Sequence, residues 1–136
     1  MSLEIKVDTK GLERILQQEP QRVDSWLCGV AEEMVSDIKL SFGTGPAGRR
    51  YKRGKSGYHT ASSPGSPPNS DTGNLYGSIR QTPAGNLTYH IIASGIYAKY
   101  LETGTAHMAA RPYMGPVFTD WQKKIEKDAK ENLNLE

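Results

Sequence analysis

The chain has 136 residues, a mass of 15.0 kDa and a net charge of +2 at pH 7. That length suits one domain and excludes a second full one. Mean hydropathy is −0.61 and hydrophobic residues make up 36% of the chain, below the average for a soluble domain. No stretch approaches the ~20 consecutive apolar residues of a membrane span, so no membrane contact is expected. The opening Met-Ser-Leu-Glu-Ile-Lys lacks an apolar h-region, so no secretory leader is expected. Cys28 is the one cysteine, which rules out an intrachain disulfide and suits a reducing cytosol.

The small net charge hides an asymmetry. Residues 43–70 carry Arg49, Arg50, Lys52, Arg53 and Lys55 and no acid. The other 108 residues carry 12 basic against 15 acidic side chains, a net −3. A basic tract in an acidic body points to a charged partner, either nucleic acid or an acidic protein surface.

In chain order, residues 3–7 alternate apolar and polar, the pattern of a strand with one buried face. Asp8 and Thr9 are placed to cap the helix that follows over 11–19, where Leu12, Ile15 and Leu16 recur at helical spacing. Pro20 suits the first turn of a second helix running to Phe42. Its apolar stripe is Val23, Leu27, Val30, Met34 and Ile38, widened by Trp26, Ala31 and Val35. Arg22, Asp24, Glu32, Glu33 and Lys39 lie opposite, and Gly43 is placed to end the helix. Gly29 inside it suggests a close helix–sheet contact.

Residues 43–70 hold six glycines, four prolines and five serines in 28 positions. Such a segment buries too little apolar surface to offset its chain entropy, so it reads as a mobile basic loop without strands. Asn74 to Ile79 then leads into a strand through Arg80 and Gln81. The turn signal Pro83-Ala84-Gly85-Asn86 and the β-type run Leu87 to Ala93 make residues 77–93 a hairpin. Ile96 to Glu102 reads as a short helix ended by Gly104-Thr105. Residues 117–132 read as a closing helix with Val117, Trp121 and Ile125 inward and its lysines in water.

Several short motifs lack their required context. Gly43-Thr44-Gly45-Pro46-Ala47-Gly48 spells a dinucleotide-binding pattern, but a helix precedes it where a strand is needed. Gly54-Lys55-Ser56 is one residue out of register for a phosphate-binding loop, with no strand before it. Asp71-Thr72-Gly73 is the aspartic-protease triplet, and a homodimer could supply two such carboxylates. Pro67 to Ser70 before it are no buried strand, so Asp71 reads as a turn cap. Ser36-Asp37-Ile38-Lys39 sits mid-helix without partner motifs. His59, His90 and His107 are too far apart to suggest a metal site, and nothing suggests a cofactor. No catalytic constellation assembles.

Two segments resemble a known family. Asp71-Thr72-Gly73-Asn74-Leu75-Tyr76-Gly77-Ser78-Ile79 is similar to a T-G-x-L-x-x-S-I element. Tyr97-Ala98-Lys99-Tyr100-Leu101-Glu102-Thr103-Gly104-Thr105, followed by Ala109 to Pro116, carries the more specific pattern. Together they resemble the minor tail-component family of long-tailed bacteriophages, which includes tail completion and head–tail joining proteins. The resemblance spans most of residues 3–132 and matches the element order.

It implies an α+β fold over 1–136: an antiparallel β-sheet with a long amphipathic helix and a C-terminal helix packed against it. The mobile basic loop over 43–70 is read from composition and matches no fixed family pattern. The resemblance also implies a non-enzymatic virion component, made in the host cytoplasm, that forms a ring, a hexamer of this chain, at the head-proximal end of the tail. The expected partners are the tail tube or tail terminator protein on one side and the head connector or stopper on the other, with DNA passing through the lumen. The expected contact loop is Arg49, Arg50, Lys52, Arg53 and Lys55, binding DNA phosphates or the connector. Tyr97, Tyr100, Glu102, Gly104, Thr105, Arg111 and Pro112 form the motif. Glu102 and Arg111 are expected either to brace the Gly-Thr turn or to reach a neighbouring subunit, and the two tyrosines to sit in the core or at its edge. A standalone nucleic-acid-binding module and a dimeric aspartic protease are the competing readings.

Overall fold

The apolar stripe of the second helix organises the chain. The computed structural model describes residues 2–5, 12–52, 58–69, 73–95 and 97–134. Strand β1 (Ser2–Ile5) is followed by α1 (Leu12–Gln18) and α2 (Pro20–Ser41). Residues 6–11, with the expected end of the first strand and the Asp8 and Thr9 caps, lie outside the described residues. Pro20 opens α2 as expected, and the stripe residues Val23, Leu27, Val30, Met34 and Ile38 are all buried. Each such side chain contributes roughly 1.5–3 kcal/mol when buried.

The fold is α+β. The strands β4 (Arg80–Pro83) and β5 (Tyr89–Ile92) form the expected hairpin, and β1 adds to its other side. The antiparallel order is β1-β5-β4, with Leu3 opposite Ile91 and Gln81 opposite Ile91 from the other edge. On β5, Tyr89 and Ile91 are buried while His90 and Ile92 are half-buried. One sheet face thus meets α2, and the core gathers Leu27, Met34, Ile38, Ile79, Ile91 and Met114.

The closing helix α5 (Gly115–Leu133) lies along α2. Trp121, Ala129 and Leu133 are its buried residues, and the last two join Leu12 and Val23 in a smaller cluster beneath α1. Two short helices complete the chain, α3 (Asn74–Ser78) and α4 (Ala98–Thr103). The first takes Gly77 and Ser78 from the hairpin expected over 77–93, whose first strand starts at Arg80; Gly73 enters the helix at a φ of +81°, a turn that glycine makes cheaply.

Two sequence expectations are corrected. A Cβ added to Gly29 would meet nothing within 4 Å, so this glycine marks no close helix–sheet contact. It lies off the buried stripe, on the open side of α2. Residues 43–70 are not without strands either. They form a second antiparallel sheet, β2 (Ala47–Lys52) with β3 (Tyr58–Ser62), pairing Arg50 with Thr60 and Lys52 with Tyr58. Gly48 sits where the register shifts, and a Cβ there would collide with the Ser62 carbonyl. The glycine therefore admits a bulge that brings the two strands together.

Candidate assembly interface

The segment Tyr97 to Pro116 builds one unit, and Glu102 is its centre. The first backbone N–H groups of a helix have no partner within the helix. At the start of α5, Glu102 supplies one from a distant turn. Its Oε2 accepts from the N–H of Tyr113 at 2.8 Å and of Met114 at 3.1 Å, and its Oε1 from Gly115 at 2.7 Å. Pro116 follows and has no N–H to satisfy. A carboxylate at a helix N-terminus is also favoured by the helix dipole. A Cβ on Gly115 would stand 2.8 Å from Glu102 Oε1, so only glycine lets the carboxylate so close.

The rest of the motif serves the same junction. Gly104 ends α4 at a φ of +76°, with the backbone of Met108 and Ala110 too close to admit a Cβ. Thr105 exchanges backbone hydrogen bonds with Met108 and accepts from the His107 N–H on its hydroxyl. The Arg111 N–H donates to the Leu101 carbonyl at 2.6 Å, and its Nε donates to the Ser62 carbonyl at 3.2 Å. Pro112 is half-buried beside it. Tyr113 is buried and donates its hydroxyl to the Ala98 carbonyl at 2.7 Å, tying α4 to the start of α5. Burial first, and then the Glu102 charge, raise its phenol well above the usual range. Within the chain, Glu102 and Arg111 thus brace the α4–α5 junction.

Tyr97 and Tyr100 do not sit in the core. They are 67% and 50% exposed. Helix α4 has six residues, and Ala98 and Leu101 take its inward positions. The two tyrosines remain on its outer side.

The basic hairpin is anchored at its base to this junction. Besides the Arg111 bond to Ser62, the Gly65 N–H donates to the Ala110 carbonyl; a separate bond, from the Gly43 N–H to the Pro68 carbonyl, ties the segment to the end of α2. Asn69 Nδ2 donates to the Thr60 carbonyl at 2.9 Å. Of the five expected contact residues, Arg50 is exposed, with its guanidinium 4.3 Å from the centroid of the exposed Tyr58 ring. The side chains of Arg49 and Lys52, and all of Arg53 and Lys55, lie outside the described residues, as do Asp71 and Thr72.

A pair of indole–carboxylate bonds went unread in the sequence. Trp26 on α2 donates to Asp128 on α5 at 2.8 Å, and Trp121 on α5 donates to Asp37 on α2 at 2.9 Å. Each helix gives one indole and takes one, clamping the antiparallel pair at two levels. A third bond runs from the Tyr89 hydroxyl on β5 to Asp24 on α2 at 3.0 Å. Burial, followed by Asp24, pushes the Tyr89 phenol up to about 12. The signal was the buried aromatic with a polar tip, which needs a partner.

Among the described residues no group of three or more His, Cys, Asp or Glu is placed to hold a metal ion, and no helix is long and apolar enough to cross a membrane. A comparison of the chain with protein families, curated proteins and solved structures gives no match.

Proposed function

We propose that this chain is a bacteriophage virion component that completes the tail and joins it to the head. In this reading it forms a ring at the head-proximal end of the tail and binds the head connector. The observation that carries the reading is the residue pattern of 97–116, together with 71–79, which resembles the minor tail-component family. The geometry of 97–116 supports it in one respect. Glu102, Gly104, Thr105 and Arg111 hold α4, α5 and the hairpin base together, a structural task of the kind the reading asks of the motif. That brace leaves Tyr97, Tyr100 and the Arg50–Tyr58 pair at the surface, where contacts with other subunits are made.

The test is electron microscopy of particles assembled without this protein. The reading expects filled heads and complete tails that do not join. Normal virions would refute it.

A further inference from the structure

The basic tract has an acidic counterpart in the same chain. Residues 12–41, covering α1 and α2, hold six carboxylates against three cations. This −3 equals the whole acid excess of the chain outside 43–70. Three of the six are engaged within the fold: Asp24 by Tyr89, Asp37 by Trp121 and Glu19 by Arg22 at 3.0 Å. Glu13, Glu32 and Glu33 are exposed and make no ion pair among the described residues. Glu32 and Glu33 lie one turn beyond Gly29, where the helix surface is open. On the hairpin, Arg50 likewise has no ion pair among the described residues and is held over an exposed ring.

We propose that the Arg50–Tyr58 face of the β2–β3 hairpin docks on the Glu32–Glu33 stretch of α2 in a second copy of this chain. The inference rests on the ring reading above and specifies the contact that would build it. A two-fold contact made by the hairpins would set cations against cations. Placing the hairpin of one copy on the helix of the next pairs opposite charges from different surfaces. Such a head-to-tail contact closes into a ring when the rotation allows. One exposed charge pair contributes little by itself. Ring closure repeats the contact at every subunit and makes the last one intramolecular, which raises its effective strength.

Sedimentation equilibrium of the full chain over a wide concentration range, at low and high salt, tests this. The wild-type chain should self-associate, less so at high salt. Arg50→Glu should weaken association roughly tenfold or more, and so should Glu32→Arg combined with Glu33→Arg, because each sets like charges together. An equimolar mixture of the two variants should recover association, since each then offers the surface that the other lacks. That recovery also shows that both variants are folded. Three results overturn the proposal: a chain that stays monomeric throughout, association indifferent to the reversals, or a mixture no better than its components. Loss of binding to a random-sequence DNA duplex as the only effect of Arg50→Glu overturns it too, in favour of DNA as the occupant. A ring that ignores these reversals removes this contact and leaves the joining reading standing. Normal joining without the protein removes that reading.

Discussion

The α4–α5 junction and the β2–β3 hairpin treat their polar groups in opposite ways. At the junction, one carboxylate accepts three backbone N–H groups, and the neighbouring arginine donates to two carbonyls with its side chain. At the hairpin, Arg50 and Tyr58 stack on each other at the surface. A group whose bonding capacity is filled inside the fold contributes to stability. A charge left in water contributes little to stability and is available to a partner. The comparison therefore predicts that stability and assembly are separable by mutation.

The largest effect on stability should come from Glu102→Ala. It leaves three N–H groups at the start of α5 without their acceptor and should cost about 2–4 kcal/mol in urea unfolding. Glu102→Gln should cost less, since one oxygen still accepts. A loss under about 1 kcal/mol for the alanine variant would mean that water replaces the cap and that the junction is no brace.

The alkaline limb of stability comes next. The Tyr89 phenol ionises near 12 in the folded chain and near 10 in the unfolded one, and Tyr113 is shifted the same way. Above pH 10 the unfolded chain releases protons that the folded chain keeps. The stability these phenols contribute is thus fully present below pH 10 and falls as pH rises through 12. Denaturant unfolding between pH 9 and 12 should show the fall, and Tyr89→Phe should flatten it. A flat wild-type profile would contradict the buried phenols.

Trp26→Phe and Trp121→Phe should cost about 1 kcal/mol each, since each removes one indole hydrogen bond and keeps most of the apolar contact. Equal unfolding midpoints for wild type and both variants would show that the clamps contribute nothing. Arg50→Ala and Tyr58→Ala should stay within about 0.5 kcal/mol of wild type, as surface changes do. A large loss in either would show that the hairpin belongs to the stabilising part of the molecule.

The helices and the larger sheet were legible because they have a buried face. Val23 to Ile38 on α2 and the β-type run into Ile91 announce themselves by spacing, and they fall where expected. The β2–β3 hairpin was not legible. Arg49-Arg50-Tyr51-Lys52 shows no apolar alternation, and among the described residues neither apolar cluster draws a member from this ladder. The bulge at Gly48 looks, in sequence, like part of a flexible glycine-rich tract. At the site, Glu102 and Arg111 were recognisable as residues with work to do, but Tyr113 lies 11 residues from Glu102 and Ser62 lies 49 from Arg111, and no local pattern names them. Spacing alone does not say which side of a six-residue helix is inward, so it does not show that Tyr97 and Tyr100 lie outside the core. Asp37 and Asp128 lie at the margin of their helices, where an acid looks solvated until the facing indole is known.

The most direct test of the account is electron microscopy of a phage lysate made with Arg50→Glu combined with Tyr58→Ala, alongside the melting curve of the purified variant. Both side chains lie at the surface and the β2–β3 ladder is kept, so the account predicts filled heads and complete tails lying unjoined, with the melting curve barely changed. Infectious particles at normal yield, or heads that fail to fill, would contradict it.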